Sequence, residues 1–441
     1  MIRSFSVRNF KSILDLKFDF TYNEGKAPPR DSMSETFAFL QTGANKLDRY
    51  VPILAIYGAN ASGKTNLIDA FQCFCAILTH GISGFYLPNK LNRKYDFCRF
   101  ILDFTINEKR LNYLIEYNKT QLLCEKLSEI TITTTSSTLK ENILFCINAA
   151  SNERSVDNVH AIATQAYPES RLQEAIRVEC SNAEGQIIRP FLWCLVRSFA
   201  GLFPLASAVW DEIHSRLHVF NRNTFYLSQG VELLAGTDSD EARSEALRKI
   251  ATLLKKFDFG IQNINLLRQK VPKCEGENRF FPEGSIYRDS NDTILVDKYT
   301  SRHLDTEGQL IPFNFMLEES DGTKVIAGLL GVALWALEKG KTIVIDELDR
   351  SLHPFILASL VKLFKSRRYN KLNAQLIFTL HDPTLLDDNQ LRISEVAIIN
   401  KTLKDGTTCK RICDFEKTRN VLNFRKRYLE GIYAGIPFPY I

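Results

Sequence analysis

Residues 58–65 read Gly-Ala-Asn-Ala-Ser-Gly-Lys-Thr and fit the phosphate-binding pattern G-x-x-x-x-G-K-[ST]. The chemistry such a loop performs is the cradling of a polyphosphate by backbone N–H groups at the positive end of a helix. Gly58 and Gly63 allow backbone conformations that a Cβ forbids and let the chain approach phosphate closely. Asn60, Ala61, Ser62 and Asn66 are expected around the same phosphates. Lys64 is expected on the β- and γ-phosphates, and the Thr65 hydroxyl on Mg²⁺. The expected ligands are therefore a nucleoside triphosphate and Mg²⁺.

Two further groups complete a hydrolytic set. Thr342–Ile345 is a short apolar run that ends in two carboxylates, Asp346 and Glu347. Such a strand places its Asp beside the phosphate loop, where Asp346 can hold Mg²⁺. Glu347 can then orient the attacking water and take its proton. His381 follows the apolar run Gln375–Thr379, and strand ends of this kind surround the ligand in a parallel sheet. His381 is expected at the γ-phosphate.

The elements that must carry these residues are legible from periodicity. Residues 51–57 (VPILAIY) form a strand-type run, and 66–78 repeat apolar residues at helical spacing. Strands are expected at 2–9, 13–20, 99–106, 111–117 and 129–135, with a loop through Pro28 and Pro29. Helical spacing marks 169–178, 190–205 and 241–257 within a helical stretch from about 155 to 256. Residues 271–292 are polar and rich in Gly, Pro and Asn, as a loop is. Beyond 310 the pattern alternates: a helix over 322–337, the Thr342–Ile345 strand, a helix from Pro354, then strands at 375–379 and 396–399. Alternation of this kind implies a sheet with a parallel core.

The composition excludes several classes. No run approaches the roughly 18 apolar residues of a membrane span, and the N-terminus lacks the pattern of a signal peptide. A cytoplasmic location is expected. Ten cysteines lie mostly inside apolar runs without a C-x₂-C pair, which argues for reduced thiols rather than zinc or disulfides. The net charge of +5 is mild, but residues 401–427 carry nine Lys/Arg against three Asp/Glu. A solvated face explains such a run more often than a nucleic-acid surface does.

Ser320 and Gly322 stand at the start of the 322–337 helix, with Lys324 one step on. The order of phosphate loop, S-x-G at a helix start, Asp-Glu after a strand, and His after the next strand resembles ABC-type ATPase heads such as those of SMC and RecF proteins. The resemblance implies an α/β fold: an ABC-type P-loop NTPase head, a mixed sheet with an antiparallel lobe, interrupted by a mainly helical insertion. Residues 1–135 and 291–441 would form the head and 136–290 the insertion. It further implies that Ser320, Gly322 and Lys324 bind ATP held by a second subunit, making a head-to-head homodimer at least. Lys11 and Ser12, in the opening Val7–Ser12 segment, match the place where such heads bring a basic residue toward the nucleotide.

The motifs GANASGKTN, Ser320–Lys324, DELDRSLHP from Asp346, TLHD from Thr379 and RYLEGIYAGIP from Arg427 are also similar to a compact AAA-type branch of these ATPases. That branch includes RloA/AbiL-type, PARIS AriA-type and OLD-like defence proteins. The long transporter signature is degenerate here, and His353 replaces the transporter Asp, as in OLD-like heads. The resemblance implies an ATP-hydrolysing sensor or regulator in antiphage defence, partnered with a separately encoded effector such as a TOPRIM nuclease or toxin. Sixty residues follow His381 without the carboxylate set of such a nuclease, so the nuclease is expected on another chain. The alternatives are a RecF-like or SMC-related repair ATPase that binds DNA directly, and a nucleotide-dependent scaffold with little turnover.

Overall fold

The computed structural model describes residues 1–22, 40–41, 49–92, 94–132, 139–148, 163–164, 168–220, 225–236, 239–271, 284–288, 294–350, 352–387, 390–415 and 423–436. The expected loop at Pro28–Pro29, most of the 271–292 loop, Ser351 and Pro437 lie outside these residues.

The first half of the chain builds strands around one helix. β1 (Ile2–Phe10) turns tightly into β2 (Ile13–Asp19), with Phe10 opposite Ile13. A short ribbon of β3 (Leu40–Gln41) and β4 (Arg49–Tyr50) leads to β5 (Ile53–Gly58). Every residue of β5 is buried, as expected of a strand covered on both faces. The phosphate loop follows, then α1 (Lys64–His80), which buries Leu67, Phe71, Phe74 and Leu78 along one stripe.

β6 (Cys98–Ile106) and β7 (Lys109–Tyr117) form a two-residue hairpin in which Asn107 and Glu108 both take positive φ. That turn matches the right-handed twist of the strands. β8 (Leu122–Ile132) and β9 (Leu139–Asn148) extend the lobe. The strand expected at 129–135 is thus the end of a longer strand, and β9 lies past residue 135.

The middle of the chain is helical but not wholly so. It holds α2 (Glu169–Ala175), α3 (Phe191–Ser198) and α4 (Pro204–Trp210). The expected 190–205 helix is two, because Pro204 cannot continue a helix and instead opens the next. β10 (Leu217–Phe220) then joins the main sheet beside Asp346's strand. α5 (Leu227–Ala235) and α6 (Asp240–Lys256) follow, and Ser239 caps α6.

A second, antiparallel sheet comes next: β11 (Asn263–Val271), β12 (Gly284–Arg288), β13 (Ile294–Leu304) and β14 (Leu310–Asn314). Its β12 falls inside the stretch expected to be loop. The short α7 (Phe315–Glu318) leads to α8 (Asp321–Lys339), β15 (Thr342–Ile345), α9 (Pro354–Lys365), β16 (Gln375–Thr379), β17 (Val396–Thr402), β18 (Gly406–Arg411) and α10 (Phe424–Leu429).

The twelve-stranded sheet runs in the order β10-β15-β16-β5-β17-β18-β2-β1-β6-β7-β8-β9. The first five are parallel and the rest antiparallel. This is the expected α/β head: a parallel core with an antiparallel lobe on a mixed sheet. Alternation along β5 divides the core. Leu54 and Ile56 pack with α1, α3 and α4, whereas Ile53, Ala55 and Tyr57 pack with α5, α6, α8 and α9.

On the latter side α5 lies against α8 almost backbone to backbone. A Cβ on Gly331 would stand 2.6 Å from the Cα of Gly230, and one on Gly230 would stand 2.6 Å from the Gly328 carbonyl oxygen. Mid-helix glycines cost about 1 kcal/mol each against alanine, a cost that this close crossing offsets. Among the described residues no helix is long and apolar enough to cross a membrane.

Candidate nucleotide site

The parallel core delivers the phosphate loop, Asp346–Glu347 and His381 from three adjacent strand ends. They meet at one cavity of about 850 Å³, lined by Ala59, Asn60, Ala61, Gly63, Lys64, Thr65, Asn66, Glu347, His381 and Lys401. Neighbouring parallel strands whose C-terminal ends share an edge produce such a site by geometry alone.

Within the loop, Ala61 and Gly63 both have positive φ. A Cβ on Gly63 would collide with the Thr407 hydroxyl, so that position accepts only glycine. A Cβ on Gly58 would stand 2.5 Å from the Ile399 carbonyl oxygen. Lys64 is buried, and its Nζ donates to the carbonyl oxygens of Gly58 at 2.6 Å and Ala59 at 3.2 Å. Burial pushes its ammonium below the usual lysine range, while Asp346, Asp349 and Glu347 pull the other way.

The Thr65 hydroxyl donates to Asp346 Oδ2 at 2.8 Å. Two oxygen donors this close, one anionic, fit Mg²⁺, which keeps several waters and phosphate oxygens among its ligands. Among the described residues no group of three His, Cys, Asp or Glu could hold a metal by itself, so the phosphates would have to complete the shell.

Thr379, in the sequence only the first residue of the TLHD motif with no role of its own, sits at the centre of the arrangement. Fully buried, it donates to Asp346 Oδ1 at 2.6 Å and accepts the Glu347 backbone N–H at 2.6 Å. Glu347 adopts φ 50°, a left-handed conformation costing about 1 kcal/mol for a residue with a side chain. Its carboxylate lines the cavity, 3.6 Å from His381 Nε2 and 3.7 Å from Arg350. Asp349, which the DELDRSLHP motif contains without a role of its own, ties the two strand ends together: its Oδ2 accepts the backbone N–H groups of His381 and Asp382, both at 2.7 Å. A half-buried carboxylate in a polar turn gives no periodic signal by which to find it.

Other expected residues stand further off. Ser12 accepts from Asn66 Nδ2 at 2.6 Å and bonds Thr407 at 2.7 Å, bracing the loop from behind. Thr407 also donates to the Ser62 carbonyl oxygen at 3.0 Å. Ser62 is buried and Gly58 lines a smaller neighbouring hollow, so neither faces the main cavity. Lys11 pairs with Asp69 at 2.5 Å and lines a groove beside the cavity.

Ser320, Gly322 and Lys324 do not line the cavity of their own chain. Ser320 caps α8, accepting the Thr323 N–H at 3.1 Å, and Lys324 lies 3.4 Å from Asp321. His353 likewise caps α9. Lys401, read as part of a solvated basic run, lines the cavity itself.

Residues 196–387 match the family described as "AAA domain, putative AbiEii toxin, Type IV TA system". The matched stretch contains Ser320, Asp346, Glu347 and His381 but not the phosphate loop. No curated protein matches the chain. Among solved structures it is similar to the SMC head domain from Thermotoga maritima, at 12% identity over 93% of this chain and 98% of that one, with a TM-score of 0.38. It is also similar to the Smc head domain with an extended coiled coil, bound to the C-terminal domain of ScpA, from Pyrococcus furiosus. That match has 13% identity over 98% and 99% of the two chains and a TM-score of 0.39. The strand-end geometry and the family match together support an ABC-type P-loop ATPase.

Proposed function

We propose that the chain binds and hydrolyses ATP with Mg²⁺, assembles head to head, and serves as the sensor or regulator of a separately encoded effector in antiphage defence. The observation that carries the ATPase reading is the convergence of Lys64, Thr65, Glu347 and His381 on one cavity, with Asp346 bonded to Thr65 at its edge. Lys64 and the loop N–H groups hold the β- and γ-phosphates. Thr65 and Asp346 would hold Mg²⁺, which would supply positive charge to offset that of the phosphates. Glu347 orients the attacking water and takes its proton, and His381 lies within reach of the same carboxylate.

The assembly reading is supported by Ser320 and Gly322, which sit at the start of a 19-residue helix away from their own chain's cavity. A helix N-terminus there offers N–H groups to the γ-phosphate held by a partner subunit. The matched family's description names a putative toxin of a toxin–antitoxin system, which supports a place in such a two-component system. A TOPRIM-type nuclease or another toxin on a separate chain is the partner we favour.

Direct DNA binding is the second reading, and the basic run at 401–427 was its support. Arg411 is buried against Asp19 and Asp414, and Arg425 pairs with Asp387, so part of that charge is spent within the chain. Salt-dependent DNA binding by the purified chain, strengthened by ATP, would restore this reading.

The deciding experiment is ATP turnover by Glu347→Gln and Lys64→Met. We expect Glu347→Gln to retain ATP and lose turnover by about 10²-fold or more, and Lys64→Met to lose ATP binding. Unchanged turnover in Glu347→Gln would remove the catalytic assignment.

A further inference from the structure

Two hollows adjoin the phosphate cavity and share different residues with it. One, of about 360 Å³, lies between the loop and the C-terminal segment and shares Ala59, Asn60 and His381 with the cavity. The other is a groove of about 930 Å³ between the β1–β2 turn, the 86–95 loop and the β17–β18 hairpin. Asn66 and Lys401 are the two residues that cavity and groove have in common.

The polarity of a bound nucleotide follows from these positions. Glu347 and His381 mark the end of the cavity where hydrolysis would occur. Lys64 takes the β- and γ-phosphates, and the helix N–H groups beyond it face the phosphate nearer the nucleoside. The junction at Asn66 and Lys401 therefore falls beside the α-phosphate, with the groove as the space ahead of it.

Lys401 is placed there by strand register. β17 runs parallel to β5 with Ile399 opposite Gly58, so β17 continues to Thr402 past the start of the loop. Side chains two apart share a face, and Ile399 packs in the core on the α1 side. Lys401 thus emerges on the face where α1 presents Asn66. It is exposed, and no described carboxylate pairs with it, in contrast to Lys11 across the groove.

We infer that Lys401 is a phosphate-binding residue of the nucleotide site, a second cation that contacts the α-phosphate from the wall opposite α1. The inference rests on the ATP-site reading above. An ammonium brought to a phosphate makes a charge-assisted hydrogen bond, and the loop pattern alone does not encode it. The β17–β18 hairpin would then be fastened to any nucleoside di- or triphosphate in the site.

Calorimetric titration of MgATP and MgADP into the full chain tests this. Lys401→Met should weaken both by the same factor, about tenfold or more, and Lys401→Arg should recover most of the loss. Lys410→Met, on the same hairpin but outside cavity and groove, should bind as the wild type does. Wild-type affinity in Lys401→Met would overturn the inference. So would a loss confined to ATP, which places Lys401 at the γ-phosphate, or an equal loss in Lys410→Met, which makes the effect one of general charge. Lys64→Met separates this from the parent reading. If that variant also binds ATP normally, the nucleotide site itself is wrongly placed. If it fails while Lys401→Met binds normally, only the role of Lys401 is lost.

Discussion

Thr379 shows how much of this site depends on a single hydroxyl. It fixes Asp346 from the side opposite Thr65 and satisfies the N–H of Glu347, whose backbone is strained. Replacement by valine keeps the shape but leaves the Glu347 N–H and one Asp346 oxygen without their partner. A buried unsatisfied group costs about 1–3 kcal/mol. We expect Thr379→Val to need at least several-fold more Mg²⁺ for half-maximal ATP turnover, read from a Mg²⁺ titration at saturating ATP. Gly63 is a sterner case, since both its φ of 108° and the adjacent Thr407 exclude a side chain. Gly63→Ala should abolish ATP binding while the far-ultraviolet spectrum stays that of a folded chain.

Between elements, the contact of α5 with α8 and the burial of Glu125 set separate stability terms. Gly331→Ala pushes a methyl into Gly230, and overpacking of this kind costs about 1–3 kcal/mol. A fall in the denaturant midpoint should report it, and an unchanged midpoint would mean that the helices can slide apart freely. Glu125 is buried in β8, accepting from Tyr113 at 2.7 Å and from the backbone N–H groups of Phe191 and Leu192 at the start of α3. Desolvation outweighs those hydrogen bonds and pushes its carboxyl up from 4.5 to about 7.

A carboxyl raised in the folded state binds its proton more tightly there than when unfolded. Its contribution to stability therefore falls as pH rises from about 4.5 to about 7, by up to about 3 kcal/mol in all. Urea unfolding at pH 5.5 and pH 8 should show the larger part of this loss in the wild type. Subtracting the profile of Glu125→Gln, which lacks the titration, isolates it from the other carboxylates.

For the whole molecule, the exposed Ser320 end of α8 and the cavity at Lys64 are separate surfaces of one chain. ATP can use both at once only if two chains meet. We expect Glu347→Gln to form a dimer in MgATP, measured by light scattering, and to remain monomeric or revert with ADP. Ser320→Ala in that background should lose the dimer. As a cap alone, Ser320 is worth about 1 kcal/mol of folding stability. A dimer that survives Ser320→Ala would confine the serine to capping.

Some of this was fixed locally, and the sequence alone determined it. The phosphate loop, α1, β15, the Asp346–Glu347 pair, α9 and β16 were legible because each is specified by residues adjacent in the chain: apolar runs, caps, and a glycine pattern with a steric reason. The α/β class with a parallel core followed from the alternation of those pieces. What only the tertiary structure decided depends on pairings between distant segments. β10, four residues long inside a helical stretch, has no periodicity of its own and becomes a strand by lying along β15. Thr379 and Asp349 acquire their roles from partners brought together across strand ends. Lys401 looked like one charge in a basic run, and register with β5 carried it to the phosphate cavity while Arg411 went into the interior. Local periodicity shows which face of an element is buried, but long-range strand pairing selects which charged side chains share a cavity.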